Sequence, residues 1–269
     1  MRKVVDMLVD EADLELVELS ERLERIESSK LHSHPWKQWL FERVRRYDPL
    51  RILELGSGMG SLWKENLSRL GMRWEIVVSD LSEEKVESCR EKIGPRRGFD
   101  FQVIDAHSIP FPDDHFDLVI ADHLLQRIQD PEPVLREIRR VLRRGGKLLA
   151  SAIGKRNLME MEWLVFSTYP NSELETAFSD HRRIFSLDTG IEFLRPYFHD
   201  IHLELFSDTL TVTDGQALVD SIYALNRLAG DQTIIREADR DRLRGSIDGI
   251  LAQQGCVRLH RDAGLFTCG

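Results

Sequence analysis

Apolar and polar positions change their period several times along this chain, and the changes outline its elements. Between residues 50 and 153 short apolar runs of strand length recur: Arg51–Leu55, Trp74–Ser79, Phe99–Ile104, Phe116–Ala121 and Gly146–Ile153. The segments between them carry helix signals. Ser61–Leu70 reads as a helix. Ser82-Glu83-Glu84 opens another, with a serine N-cap and first-turn acids. Asp130-Pro131 opens a third, which continues over Val134–Arg143 and closes on Arg143-Arg144-Gly145. Strands alternating with helices predict an α/β, Rossmann-like fold with a mostly parallel sheet and helices on both faces. The ligand of such a sheet lies beyond the carboxyl ends of its strands.

The flanks depart from this alternation. Leu8, Leu16, Leu19, Leu23 and Ile26 predict an amphipathic helix within residues 1–30. Trp36, Trp39, Leu40, Phe41 and Val44 make a second apolar face, and residues 1–47 are expected to form an N-terminal helical lid, with a helix packed on the domain or a dimer contact as the alternatives. Residues 154–187 hold an apolar helical patch at Leu158–Phe166 and a polar helix at Ser172–Phe178, read either as a substrate cap or as plain core packing. Residues 188–269 are expected to carry a helix reaching Tyr197 and a long strand over His199–Thr213 kinked at Ser207-Asp208. Helices at Gly215–Leu228 and Asp231–Gln253 follow, then a last strand over Cys256–Thr267 broken at Gly264. The whole is read as one domain, with its core at residues 48–153.

Composition narrows the class. The 269 residues are 42% hydrophobic and 31% charged, a balance that suits a water-soluble globular protein. Apolar runs are strand-sized, so no membrane span is expected, and the first residues carry no signal-peptide core. A formal net charge of −9 disfavours nucleic acid as a partner, because phosphate binding relies on clustered cations. Cys89, Cys256 and Cys268 are too scattered for a disulfide frame or a zinc site, which makes the cytoplasm the expected compartment. His32 and His34 have no third ligand near them in sequence, so no metal site is expected. The assembly is read as a monomer or homodimer.

Chemistry concentrates at Glu54-Leu55-Gly56-Ser57-Gly58-Met59-Gly60, where the first strand ends, a glycine turn follows and a helix begins. Glycines admit positive φ and close approach of a ligand to the backbone. A dinucleotide site needs Gly-x-Gly-x-x-Gly, whereas here the third glycine falls one residue early and Ser61 holds its place. Glu54 adds negative charge where a pyrophosphate would have to lie, so a cationic or amine-bearing ligand suits the turn better. Asp80 ends the second strand, 24 residues beyond Gly56, where a carboxylate accepts ribose hydroxyls. Asp105-Ala106 ends the third strand, and Ile109-Pro110-Phe111-Pro112-Asp113 leads to Phe116-Asp117-Leu118-Val119.

These motifs resemble the class I S-adenosylmethionine-dependent methyltransferases, of the small-molecule, type 11 (UbiE-like) kind. The resemblance is specific over residues 50–153 and general elsewhere. It implies a seven-stranded sheet with an antiparallel last strand, and S-adenosylmethionine as the cofactor, with S-adenosylhomocysteine as product. By this resemblance Glu54 helps hold the methionine amine, and Gly56, Ser57, Gly58 and Gly60 form the turn beneath it. Asp80 takes the ribose, Leu81 lies on the adenine face, Asp105 and the Ala106 N–H meet the adenine edge, and Ala121 lines the same site. Trp36, Trp39, Trp163 and Phe166 are candidates to shape an acceptor pocket.

A base is not obligatory for methyl transfer. If one acts, His123 is the candidate, beside the end of the fourth strand, and Asp122 could instead orient the acceptor. Gln126-Arg127 stands where the family often has a second histidine. The expected function is methyl transfer to an oxygen, nitrogen or carbon of a small molecule, as in secondary metabolism. Protein or RNA methylation, a non-catalytic cofactor binder and a nicotinamide oxidoreductase are the alternatives, the last disfavoured by the glycine spacing.

Overall fold

The computed structural model describes residues 35–169, 185–228 and 236–269. The expected helix within residues 1–30, His32 and His34, and the polar helix at 172–178 lie outside them. The strands are β1 (Arg51–Leu55), β2 (Glu75–Asp80), β3 (Phe99–Val103), β4 (Phe116–Ala121), β5 (Leu142–Ile153), β6 (Ile201–Val212) and β7 (Val257–Cys268). They form one sheet in the order β3-β2-β1-β4-β5-β7-β6. Pairing is parallel from β3 across to β5, and β7 then runs antiparallel to β5. The fold class expected from the sequence is observed.

The chain divides into two compact units. One comprises, among the described residues, 35–155, 185–206 and 263–269. It contains α1 (Pro35–Arg46), α2 (Ser61–Lys64), α3 (Glu83–Ile93), α4 (Pro131–Val141) and, later in the chain, the short helix Gly190–Leu194. Successive strand residues point to opposite faces. Ile52, Ile76, Val78, Leu118 and Ile120 pack with Leu40, Phe41 and Val44 of α1, Trp63 of α2 and Cys89 and Ile93 of α3. Leu53, Leu55, Val119 and Ala121 face the other way, onto Val134, Leu135 and Ile138 of α4 together with Leu194 and Phe198. Both layers required for a parallel sheet are thus present.

The other unit comprises, among the described residues, 156–169, 207–228 and 236–262. Its described helices are α5 (Met159–Thr168), α7 (Gly215–Leu228) and α8 (Arg240–Gln254), where α6 denotes Gly190–Leu194. Its core joins Met161, Leu164 and Val165 to Leu218, Ile222, Leu243 and Ile247, with Leu210, Val212 and Leu259 from the strand segments. Among the described residues, no helix is long and apolar enough to cross a membrane.

Several element boundaries differ from the sequence reading. Ser61–Leu70 is not one helix: α2 stops at Lys64 and a 3-10 turn follows at Leu67–Arg69. Buried Asn66 donates to the Leu62 carbonyl at 2.8 Å, so a side chain takes an acceptor that a continuing helix would use. The helix expected to close at residues 143–145 ends at Val141, and β5 starts at Leu142 instead of Gly146. The Asp114 and His115 N–H groups take the Arg140 and Val141 carbonyls at 3.0 and 2.8 Å, and Arg143 pairs with Asp117. The last helix starts at Arg240, after a 3-10 turn at Glu237–Asp239, and residues 231–235 lie outside the described residues.

The helix expected to reach Tyr197 ends at Leu194. Finally, β7 runs unbroken through Gly264. A Cβ there would meet Leu187 Cδ2 at 2.8 Å and the Glu204 carbonyl at 3.0 Å, so the glycine permits close packing of the strand instead of interrupting it.

Candidate active site

Glu54 is the penultimate residue of β1, Asp80 the last of β2, and Asp105 and Asp122 follow the ends of β3 and β4, all in the sheet-bearing unit. The turn after β1 is tight. Gly56, Gly58 and Gly60 have φ of 68°, 55° and 73°, in the left-handed region. A Cβ on Gly56 would come within 2.9 Å of Leu124 Cδ1, and one on Gly60 within 2.9 Å of Cys89 Sγ. The turn therefore needs glycine twice over, for conformation and for space. The Ser57 N–H donates to the Ser79 carbonyl at 2.9 Å, which ties the turn to β2.

Glu54 is 2% exposed, and its Oε2 accepts from Trp63 Nε1 at 2.6 Å. Burial pushes its carboxyl up to about 7, against smaller opposing effects of the Lys37 ammonium and the Trp63 hydrogen bond; Asp122 and Asp80 push further in the direction of burial. Asp80 is buried at the end of β2. Its Oδ2 accepts the Gly58 N–H at 3.0 Å and its Oδ1 the Ser82 N–H at 3.1 Å, with Lys85 Nζ 4.0 Å away. The second-strand acid is thus fixed to the glycine turn itself. Leu81, the next residue, is 63% exposed although apolar.

Asp105 follows β3, and its side chain is 53% exposed. Its Oδ1 accepts the His107 N–H at 2.9 Å and faces His107 Nδ1 at 2.8 Å. Partial burial would raise this carboxyl, but the contacts with His107 outweigh it and lower it. Ala106 sits between them.

Beyond Ala121, Asp122 is the hub of a polar network. Its side chain is only 3% exposed. Ser151 Oγ donates to Oδ1 at 2.5 Å, Trp36 Nε1 donates to Oδ1 at 3.1 Å, and Lys37 Nζ donates to Oδ2 at 2.6 Å. Burial alone would raise this carboxyl. The charges of Lys37 and His123 and the hydrogen bonds from Lys37 and Ser151 hold it well below the usual carboxylate range. Both oxygens accept hydrogen bonds from the protein, so Asp122 is an anion held within the fold.

His123 adopts a left-handed φ of 54°, uncommon for a residue with a side chain. Its ring stands 5.2 Å from Trp36 between centroids, and Nε2 is 3.9 Å from Asp122 Oδ1. Burial lowers its pKa, opposed by Asp122 and helped by Lys37 and Arg127. Trp36 stacks on Trp39 at 5.1 Å, and Phe206 meets both rings at 5.3 Å. Trp163 and Phe166, expected beside them, belong to the other unit and are 61% and 49% exposed.

Sequence reasoning missed Lys37, Trp63, His107 and Ser151 as partners of the four acids. Trp63, nine residues after Glu54, and His107, two after Asp105, are close in sequence to their acids; Lys37 and Ser151 are not.

The acids at the strand ends are hydrogen-bond acceptors. Three carboxylates at the ends of three neighbouring strands suit a ligand that carries positive charge or several hydrogen-bond donors. A family profile described as a methyltransferase domain matches residues 53–150. Over residues 53–150 the chain is thus similar to a methyltransferase domain. The ubiquinone/menaquinone biosynthesis C-methyltransferase UbiE of Shewanella sp. strain ANA-3 is 29% identical over 123 residues, 45% of this chain and 49% of that protein. The chain thus spans about half the length of the curated relatives it matches.

Among solved structures, YcgJ of Bacillus subtilis has a TM-score of 0.54 at 17% identity, over 86% of this chain and 96% of that one. Phosphoethanolamine N-methyltransferase 2 of Haemonchus contortus, in complex with phosphomonomethylethanolamine and S-adenosylhomocysteine, has a TM-score of 0.51 at 20% identity, over 87% and 52%. These two establish the fold of the methyltransferase domain.

Proposed function

We propose that this chain transfers the methyl group of S-adenosylmethionine to a small planar acceptor. The observation that carries the cofactor side is the row of Glu54, Asp80 and Asp105 at the ends of β1, β2 and β3 around the glycine turn. In this reading Glu54 holds the methionine amine and Gly56, Ser57, Gly58 and Gly60 frame it. Asp80 takes the ribose hydroxyls, Leu81 covers the adenine face with its exposed side chain, and Asp105 and the Ala106 N–H read the adenine edge. Ala121 closes the wall at the end of β4. When bound, the cofactor supplies a methyl group activated by its sulfonium charge.

The chain itself orients the acceptor and manages its proton. Trp36, Trp39, Phe206 and the His123 ring form an aromatic group at the end of β4, which suits a flat ring. His123 is held toward its neutral form, so it can take a proton from a phenol, an amine or an activated ring carbon. The UbiE relatives are C-methyltransferases of ubiquinone and menaquinone biosynthesis, which makes an acceptor of that type the first to try.

The test is transfer of labelled methyl from S-adenosylmethionine to a panel of phenols, quinols and amines, with total RNA and unrelated protein alongside. Label in a small molecule, reduced about 100-fold by His123→Gln, supports the reading. Label only in RNA or protein overturns the acceptor class. No binding of S-adenosylhomocysteine by the folded protein overturns the cofactor assignment.

A further inference from the structure

Ser151 lies near the carboxyl end of β5, between buried Ala150 and Ala152, and is fully buried itself. A hydroxyl in that position costs free energy unless it is well satisfied. It is satisfied in one specific way. Its proton goes to Asp122 Oδ1 at 2.5 Å, and its oxygen accepts the backbone N–H of His123 at 2.7 Å. A hydroxyl has one proton. Because the ionised Asp122 takes that proton, the lone pairs of Ser151 are turned to the His123 amide.

That amide belongs to a residue with φ of 54°. Such a conformation costs about 1 kcal/mol or more for a side-chain-bearing residue and persists where surrounding bonds impose it. The restraint continues outward. Asp122 is itself gripped by Trp36 and Lys37, both on α1. Trp36 also lies against the His123 ring. The backbone of His123 and one face of its ring are therefore fixed by groups that all meet at Asp122.

We infer that Ser151 is a positioning residue: its hydroxyl holds His123 in the left-handed turn and, through Asp122, ties that turn to the helix carrying Trp36 and Lys37. This rests on the reading of His123 as the group that faces the acceptor. The groups around the ring are Asp122 from its own turn, Lys37 and Trp36 from α1, and Gln126 and Arg127 from the following 3-10 turn. Ser151 acts on the ring through Asp122, whose charge toward His123 is partly drawn off by the Ser151 proton.

The experiment is proton NMR titration of the histidine rings in wild type, Ser151→Ala and Ser151→Thr, with the His123 signal assigned by its loss in His123→Gln among the nine histidines. Removing the hydroxyl frees Asp122 charge toward Nε2, so the His123 midpoint is expected to rise by about half a pH unit or more in Ser151→Ala. Faster exchange of the His123 amide accompanies it, and both return toward wild type in Ser151→Thr. S-adenosylhomocysteine affinity stays within about threefold. An unchanged midpoint and unchanged amide exchange in a folded Ser151→Ala, even with a lowered Tm, overturn the inference and leave Ser151 a packing residue. Failure of wild type to bind S-adenosylhomocysteine would instead strike the cofactor reading, independently of the titration.

Discussion

Trp63 donates its indole N–H to Glu54 Oε2 at 2.6 Å, from the first turn after the glycines back to the acid that precedes them. The bond closes the β1–turn–α2 unit on itself. It also leaves a buried carboxylate with a neutral donor on one oxygen, and burial holds its pKa up at about 7. A cationic ligand is the natural complement of such a group.

Glu54→Gln is expected to weaken S-adenosylmethionine binding about tenfold or more, near 1.4 kcal/mol, by isothermal titration at pH 8. The amide keeps an acceptor for Trp63 and loses the charge. Affinity equal to wild type would remove Glu54 from the cofactor's amine.

The same carboxyl predicts a pH dependence of stability. Folded, it keeps its proton up to about pH 7; the ordinary value is 4.5. Between these values the folded state binds more protons than the unfolded chain, so stability falls as pH rises through the window. The total is on the order of 3 kcal/mol. Thermal unfolding of ligand-free wild type against Glu54→Gln, from pH 4.5 to 8, should show wild type losing ground with rising pH. Parallel curves would mean that Glu54 is ionised at its ordinary pH.

Asp80→Ala removes the acceptor of both the Gly58 and Ser82 N–H groups. Cofactor affinity is expected to fall 10- to 100-fold, about 1.4–2.8 kcal/mol, with a stability loss of about 1–3 kcal/mol from the unsatisfied amides. Calorimetric titration together with denaturant unfolding separates the two. A stability loss without an affinity loss would confine Asp80 to holding the turn.

Lys37→Met leaves the Asp122 anion buried without its ammonium. Breaking one side of a buried pair costs about 3 kcal/mol, measurable by urea unfolding at neutral pH. The depressed Asp122 pKa contributes stability that is present above the ordinary carboxylate value and lost as pH falls below it. The penalty of the variant should therefore shrink in acid. Adding Asp122→Asn to Lys37→Met should recover part of the loss; full additivity of the two losses would show that the pair is not coupled.

The sequence by itself determined the order of strands and helices over residues 50–153, the glycine turn, and an acid at the end of each of β1, β2 and β3. These are local properties. Strand and helix periods, the positive-φ demand of Gly56 and Gly60, and the end of an apolar run are all written within a few neighbouring residues. The ends of α2 and α4 were not legible. They depend on Asn66 folding back on Leu62 and on Asp114 and His115 taking the carbonyls of Arg140 and Val141.

Only the tertiary structure decided what surrounds each acid. Asp122 meets Lys37 across 85 positions and Ser151 across 29. No pattern of spacing encodes those pairings, because they arise when α1 and β5 are brought to the end of β4. Asp122 is a buried, multiply bonded anion for that reason. Whether a carboxylate faces a ligand or anchors the protein depends on how many donors reach it through the fold.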